Sequence, residues 1–188
     1  MIEMLGVLAI IGVLSIGGIA GYSKAMFKYR FNKTMDMITT AINRVIELEN
    51  SNMGDITISS AQQMLDYGIA PNYPDDVGHA CPMPLGTISG EWSFYDHTSG
   101  GSFDFTFTQH QFESCVAFFN SKIYETVPDN WWKDESFIQI IAGSKSKFVY
   151  SKSGYENSKT QITTEDIIDA CQICNGANNC IVSWWFGI

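Results

Sequence analysis

The chain has 188 residues and a formal net charge of -9 at pH 7, with 11 Lys and Arg against 20 Asp and Glu. This length allows one globular domain that buries its own core, together with one further segment. Because phosphate groups bind basic surfaces, the acidic composition excludes nucleic acid as the main partner of the globular part.

The first 22 residues, MIEMLGVLAIIGVLSIGGIAGY, are almost continuously apolar and carry one charge, at Glu3. A helix needs roughly 20 apolar residues to cross a hydrocarbon core of about 30 Å, so this run is long enough to span a membrane. A carboxylate inside such a span costs on the order of 2.5–3.5 kcal/mol and therefore indicates a function. The glycines of the run let another backbone approach closely, which favours helix packing over a solitary anchor.

Residues 1–25 are similar to the N-terminal segment of type IV pilins and pseudopilins. Mature chains of that family begin with Phe or Met, two further residues, and then Ile-Glu, which Ile2 and Glu3 match; an apolar helix follows, which LAIIGVLS matches. The resemblance implies that Ile2, Glu3 and Leu5 act in filament assembly, with the glutamate paired to the N-terminal amine of a neighbouring subunit.

Two other interpretations concern the chain start. Pilin precursors carry a short basic leader and two mature residues ahead of the position of Met1, so Met1 is interpreted as an internal methionine or the start of a trimmed chain. A signal peptide would show a basic n-region and an A-x-A-like cleavage site after a shorter core, which this run does not show.

Helical periodicity continues past the apolar run, with apolar residues at spacings of four and three until turn formers gather near Asn50. We therefore predict three segments: residues 1–23 as the transmembrane or filament-core half of one helix, 24–50 as its amphipathic half, and 51–188 as a globular head. The first half needs lipid or other copies to cover it, whereas the second needs only the head.

The head is predicted to be α+β, with helices packed on an antiparallel sheet. A short helix is expected to begin at Ser59 or Ser60, and a loop follows from Pro71 to Pro84. EWSFYD, in which aromatic residues alternate imperfectly, and SFDFTFTQ, in which they alternate cleanly, are predicted as an antiparallel pair of strands, and HTSGG between them as the hairpin turn.

Later in the head, helical periodicity returns over 112–127, and TTEDIIDACQ has the capping residues of a further short helix. The stretches SFIQIIAG and SKFVYS and the chain end CIVSWWFGI are predicted as strands. Trp131 and Trp132 are adjacent and cannot both face the same core, so at least one is expected on the surface, either free or in contact with a subunit or ligand.

The five cysteines fit an oxidising compartment outside the cytoplasm. Resemblance to type IVb pilins, in which a disulfide ties a helix to the C-terminal segment, implies a bridge from Cys115 to Cys171. This bridge would close a loop of more than fifty residues, and in the chain-entropy model that constraint stabilises the fold by about 4 kcal/mol. Cys174 and Cys180 are candidates for a second, local bridge. Because five cysteines cannot all pair, Cys81 is then expected outside the disulfides, unless it forms a bridge with Cys174 or Cys180.

The alternative for the clustered cysteines is a metal site made from Cys171, Cys174 and Cys180. A lone C-x-x-C with no second pair and no suitably spaced His is weak evidence for one, and the absence of a βαβ pattern weakens redox catalysis further. We therefore expect no metal and no cofactor.

Charge is distributed unevenly along the chain. Lys24, Lys28, Arg30 and Lys33 follow the apolar run, which by the positive-inside rule alone would place that end in the cytoplasm. We give more weight to the cysteines and expect the head outside the cytoplasm. No Lys or Arg lies between Arg44 and Lys122, so the middle of the head is acidic: a solvated surface, or a site for a cation or partner.

The sequence contains no P-loop, no G-x-S-x-G and no H-E-x-x-H, so an enzyme is not expected. The resemblance implies a structural subunit of a type IV pilus-like filament. Its expected location is the bacterial inner membrane as a single-pass protein, and then the cell surface. Implied partners are further copies of the chain, inner-membrane lipid, prepilin peptidase and the pilus assembly machinery. Alternatives are a pseudopilin or minor pilin of a type II secretion-like system, or a monomeric membrane-anchored extracytoplasmic binding protein.

Overall fold

The computed structural model describes residues 2–51, 56–70, 80–95, 98–132, 134–154, 156 and 158–186. Side chains are outside the description for residues 2–17, 20, 92, 94, 95, 98 and 99. Within these limits the fold is α+β, as the sequence predicted, with a long N-terminal helix and an antiparallel sheet.

The described helices and strands follow the predicted order, with two strands added. The helices are α1 (Ile2–Asn50), α2 (Ala61–Asp66), α3 (Gln111–Ser121) and α4 (Thr164–Cys171). The strands are β1 (Ile56–Ile58), β2 (Cys81–Met83), β3 (Gly86–Tyr95), β4 (Thr98–Phe107), β5 (Phe137–Ala142), β6 (Lys145–Tyr150) and β7 (Cys180–Phe186).

The described strands form one sheet in the order β1-β3-β4-β7-β5-β6, and β2 pairs with the same edge of β3 as β1. All of these pairs are antiparallel. The strand nearest the chain end, β7, lies between β4 and β5, so that Val182 faces Phe105 on one side and Ile140 on the other. The apolar sequence of this segment fits a central strand, because it is covered by a neighbour at each edge.

One face of the sheet carries the core. Phe103, Phe105 and Phe107 alternate along β4 and are fully buried, while the residues between them lie on the opposite face. Phe118 of α3 packs on Phe105 with ring centroids 5.3 Å apart. The buried side chains of α1 belong to the same cluster, so both helices cover this face, which we call the inner face.

The expectation that Trp131 or Trp132 lies on the surface is wrong. Their exposed fractions are 3% and 9%. A 3-10 turn ends at Trp131, and the backbone of Trp132 then leaves helical geometry, so the two rings diverge within the core. Trp131 packs on Phe186 at 4.7 Å, and Trp132 packs on Tyr150 at 5.1 Å, measured between ring centroids.

Three further predictions need correction. Of the predicted hairpin turn HTSGG, residues 98–101 belong to β4 and pair with β3, and His97 lies outside the described residues. The stretch predicted as a loop around Cys81 contains β2, a strand of only three residues that is too short to show alternation. The helix predicted over 112–127 ends at Ser121, because Lys122 adopts a left-handed conformation with φ of 54° and its N–H bonds to Phe119 O. A short 3-10 turn, Ile123–Glu125, then continues the apolar face.

Helix α4 begins with the predicted capping box. Thr163 N–H donates to Asp166 Oδ2 at 2.9 Å, and Asp166 N–H donates to Thr163 Oγ1 at 3.3 Å. The hydrogen bond from Lys159 and those from Thr163 lower the pKa of Asp166 to about 2. Because this pKa lies below its unfolded value, the ionised group stabilises the fold above about pH 4, and that stabilisation is lost as the pH falls from about 4 to about 2.

We expect Asp166→Asn to lower the free energy of unfolding at pH 7 and to flatten its decline between pH 4 and pH 2. Guanidinium unfolding at a series of pH values measures both effects. Glu165→Gln, which removes an exposed carboxylate from the same turn, is the matched control and should leave the profile unchanged. A decline as steep in Asp166→Asn as in the wild type would contradict this assignment.

Candidate assembly interface

Helix α1 has a part that is covered by the head and a part that is not. From Thr34 to Leu48 its inward-facing side chains are buried in the core. Phe27 and Phe31 are half-buried and mark the start of contact with the head. Before Phe27, the described side chains of residues 18, 19 and 21–25 are exposed, so the helix leaves the head there.

The exposed part carries large apolar side chains on one side of the helix. Ile19 and Tyr22 are each 67% exposed, and Tyr29 is 62% exposed. At about 100° per residue, these three positions fall within a helical arc of roughly 80° and form one apolar stripe. A Cβ built on Gly18 or Gly21 would meet no described atom within 4 Å, so the backbone beside this stripe is open to a close neighbour.

The residues that the resemblance assigned to assembly, Ile2, Glu3 and Leu5, lie in the backbone of α1. Their side chains are outside the described residues, so their contacts stay a prediction. Within the part of the chain that the structure describes, no helix combines the length and apolar character needed to cross a membrane.

Polar contacts fix the covered half of α1 to the head at both ends and in the middle. Near its start, Arg30 Nη1 donates to Gln109 Oε1 at 2.8 Å, and farther along, Arg44 Nε donates to Tyr67 O at 2.8 Å. At its C-terminal end, Glu49 accepts hydrogen bonds from the side chains of Trp131 and Asn130. The head therefore holds α1 over a long span.

Basic side chains lie at the boundary between the two parts of α1. Lys24, Lys28 and Lys33 are exposed there, whereas Arg30 is engaged by Gln109. The head itself has no Lys or Arg between Arg44 and Lys122, so the charges of the two regions have opposite sign.

Two disulfides close the C-terminal part of the head. Cys115 of α3 is bonded to Cys171 at the end of α4, with Cα atoms 5.8 Å apart. Cys174 is bonded to Cys180 at the start of β7, with Cα atoms 5.2 Å apart. These are the two pairs considered in the sequence analysis. Neither bridge includes Cys81, whose buried thiol lies 3.8 Å from Ala61 O.

The outer face of the sheet carries a polar group that the sequence analysis did not single out. Trp185, which is 45% exposed, donates from Nε1 to Ser183 Oγ at 2.9 Å, and Ser183 donates to Asp104. Burial raises the pKa of Asp104, the hydrogen bond from Ser183 lowers it, and the charge of Glu91 raises it. The alternation of β4 places Asp104 on this face, but only the strand order shows that Ser183 lies opposite it.

Comparison of the chain with protein-family models, curated proteins and solved structures finds no match. The arrangement of α1 and the disulfide-bonded head is therefore the basis on which a function is proposed.

The two disulfides should differ in their contribution to stability. Cys115 and Cys171 are 56 residues apart and Cys174 and Cys180 only 6, so the first bridge restricts the unfolded chain more. We expect Cys115→Ala/Cys171→Ala to lower the free energy of unfolding by about 4 kcal/mol and Cys174→Ala/Cys180→Ala by about 2 kcal/mol.

Guanidinium unfolding in detergent, followed by tryptophan fluorescence, measures the difference. Cys81→Ala provides a control that changes a buried cysteine without opening either bridge. Equal losses for the two double variants would contradict the loop-length account.

Proposed function

We propose that this chain is a structural subunit of a type IV pilus-like filament and polymerises through the N-terminal half of α1. The observation that carries the proposal is the division of α1: one helix, Ile2–Asn50, is packed in the head from Thr34 onward and exposes apolar side chains before Phe27. The sequence ahead of residue 18 is apolar apart from Glu3 and Ser15, so the apolar segment that needs a cover extends toward the chain start.

Assembly would remove the exposed apolar stripe from water. Fully burying a large apolar side chain is worth about 1.5–3 kcal/mol, and Ile19, Tyr22 and Tyr29 are mostly exposed in the single chain. Helices of neighbouring copies, packed side by side, would cover the stripe together with the apolar residues before it. Lipid would serve the same purpose before assembly, which supports an inner-membrane stage with the head outside the cytoplasm.

Glu3 has a specific role in this proposal. A carboxylate among apolar helices is tolerated only with a partner, because an unpaired buried charge is strongly destabilising. The N-terminal amine of a neighbouring copy supplies the opposite charge and sets the register between two helices. Prepilin peptidase and the pilus assembly machinery follow as partners from the resemblance of residues 1–25 to pilins.

The same geometry would serve a pseudopilin or minor pilin of a type II secretion-like system, which assembles in smaller amounts. A monomeric membrane-anchored binding protein is the alternative from another class; the exposed Trp185 and its link to Asp104 on the outer face favour it. Such a protein would stay unassembled beside an active pilus machinery, so filament yield separates it from both pilin assignments.

We expect Glu3→Ala to leave the head folded and the chain inserted in the membrane, but to reduce filament yield severely, because the register-setting ion pair is lost. Quantitative blotting of sheared filaments against the membrane fraction measures this. Asp36→Ala, which removes an exposed carboxylate from the covered half of the same helix, is the control and should keep the yield of the wild type. Normal filaments from Glu3→Ala would remove the argument for the ion pair.

We expect Tyr22→Asp to reduce filament yield at least tenfold while the unfolding free energy of the head changes by less than about 0.5 kcal/mol, as for other exposed sites. The new charge stays in water in the single chain, but in the filament it would have to be buried between helices. Ser144→Asp adds the same charge at an exposed turn of the head and serves as the control. Equal yields for the two variants would mean that the stripe is not an assembly surface.

A further inference from the structure

The two disulfides of the head form a single cluster of sulfur atoms. The sulfur atoms of Cys115, Cys174 and Cys180 lie within 4.8 Å of one another, and all three residues are buried. Cys171 joins the cluster through its bond to Cys115 and is also fully buried. The fold therefore gathers four cysteines from α3, from the end of α4 and the turn after it, and from the start of β7.

A newly made chain carries these residues as thiols, because disulfides form only when an oxidant reaches them. We propose that the reduced chain binds one Zn²⁺ ion through the thiolates of Cys115, Cys171, Cys174 and Cys180. This inference goes beyond the proposed filament function and does not depend on it.

The ligand set matches what zinc requires. A structural zinc site takes four ligands in a tetrahedron with Zn–S distances of about 2.3 Å, which places neighbouring sulfur atoms about 3.8 Å apart. The sulfur of Cys115 lies at most 4.8 Å from those of Cys174 and Cys180, which exceeds that spacing by no more than about 1 Å. The sulfurs of Cys174 and Cys180 are bonded to each other, so they have to move apart by about 1.7 Å when the bridge is reduced. Burial of every ligand is also typical of structural zinc, whose coordination sphere is closed to water.

The sequence spacing supports the same conclusion once the fold is known. Cys171 and Cys174 form a C-x-x-C pair across the end of α4, and Cys180 follows after a loop that contains Gly176 in a left-handed conformation. The weakness of this motif in the sequence was the missing fourth ligand. The structure supplies it, because α3 brings Cys115 to the cluster from far away in the chain.

An open cleft lies beside the loop that carries Cys174, although no cysteine lines it. This cleft of about 410 Å³ lies between the β5-β6 turn and the loop from Ile173 to Asn179, which carries Cys174 and ends beside Cys180. The loop is polar, with three asparagines. It contains Cys174, and Cys180 follows it directly in the sequence.

The metal-bound and disulfide-bonded forms exclude each other. Binding of Zn²⁺ displaces four protons from the thiols, and the four thiolates then carry the charge that the ion balances. Oxidation by a disulfide reagent forms the two protein S–S bonds and breaks one S–S bond in each of two reagent molecules. Four electrons pass to the reagent, four reagent thiolates form, and Zn²⁺ is released.

The test uses the full chain in detergent, reduced with a phosphine and separated from it under argon. Co²⁺ serves as the spectroscopic probe and Zn²⁺ as the competitor. The expected result is one Co²⁺ per chain, with the thiolate-to-cobalt charge-transfer and d–d absorption of a tetrahedral four-sulfur site, and loss of both on addition of one equivalent of Zn²⁺. The oxidised chain should show neither band.

Two variants locate the site. Cys81→Ala, which removes the cysteine outside the cluster, should retain the spectrum and the stoichiometry of one. Cys115→Ala should lose the four-sulfur spectrum, because the remaining three cysteines cannot complete the tetrahedron.

Three results would overturn the proposal. The first is a reduced wild-type chain with no charge-transfer band, whether circular dichroism finds it folded or unfolded. The second is a spectrum that is unchanged in Cys115→Ala, which would mean that the local cysteines bind metal without the fold. The third is loss of the band in Cys81→Ala, which would place a different residue in the site.

Discussion

Helix α1 is about twice as long as the sheet against which it packs, and the remaining structure depends on this mismatch. Its 49 residues span roughly 74 Å, whereas the ten-residue strands β3 and β4 span roughly 33 Å. The sheet is therefore too short to cover the whole helix, and the described side chains of residues 18, 19 and 21–25 are exposed. In the function proposed above, a membrane and then neighbouring copies cover this apolar segment.

The head is built to hold the covered half firmly. β7 lies at the centre of the sheet, between β4 and β5, and the core on the inner face combines its side chains with those of α1 from Thr34 to Leu48. One disulfide joins α3 to the end of α4, and the other joins the turn after α4 to the start of β7. Hydrogen bonds made by α1 with the head, from that of Arg30 near one end to that of Glu49 near the other, fix the helix along the inner face. In the proposed filament, this attachment would transmit force between the helix and the head.

Much of this architecture could be predicted from local patterns. Period-3.6 apolar spacing located the covered half of α1, alternation located β4, and the capping residues Thr163 and Asp166 located α4. The predictions that were wrong depended on single backbone angles or on contacts distant in sequence. The left-handed conformation of Lys122 ends α3, and the turn before Trp132 lets both Trp131 and Trp132 enter the core. For the candidate interface, the apolar run was evident, but the point at which the helix leaves the head required the fold.

The most direct test of the account is electron microscopy of surface filaments sheared from cells that make this protein, with mass spectrometry of the same sample. The account predicts filaments in which this chain is the main component, with the N-terminal half of α1 in the filament core and the heads outside. Recovery of the chain only from the membrane fraction, beside filaments made of another protein, would contradict it.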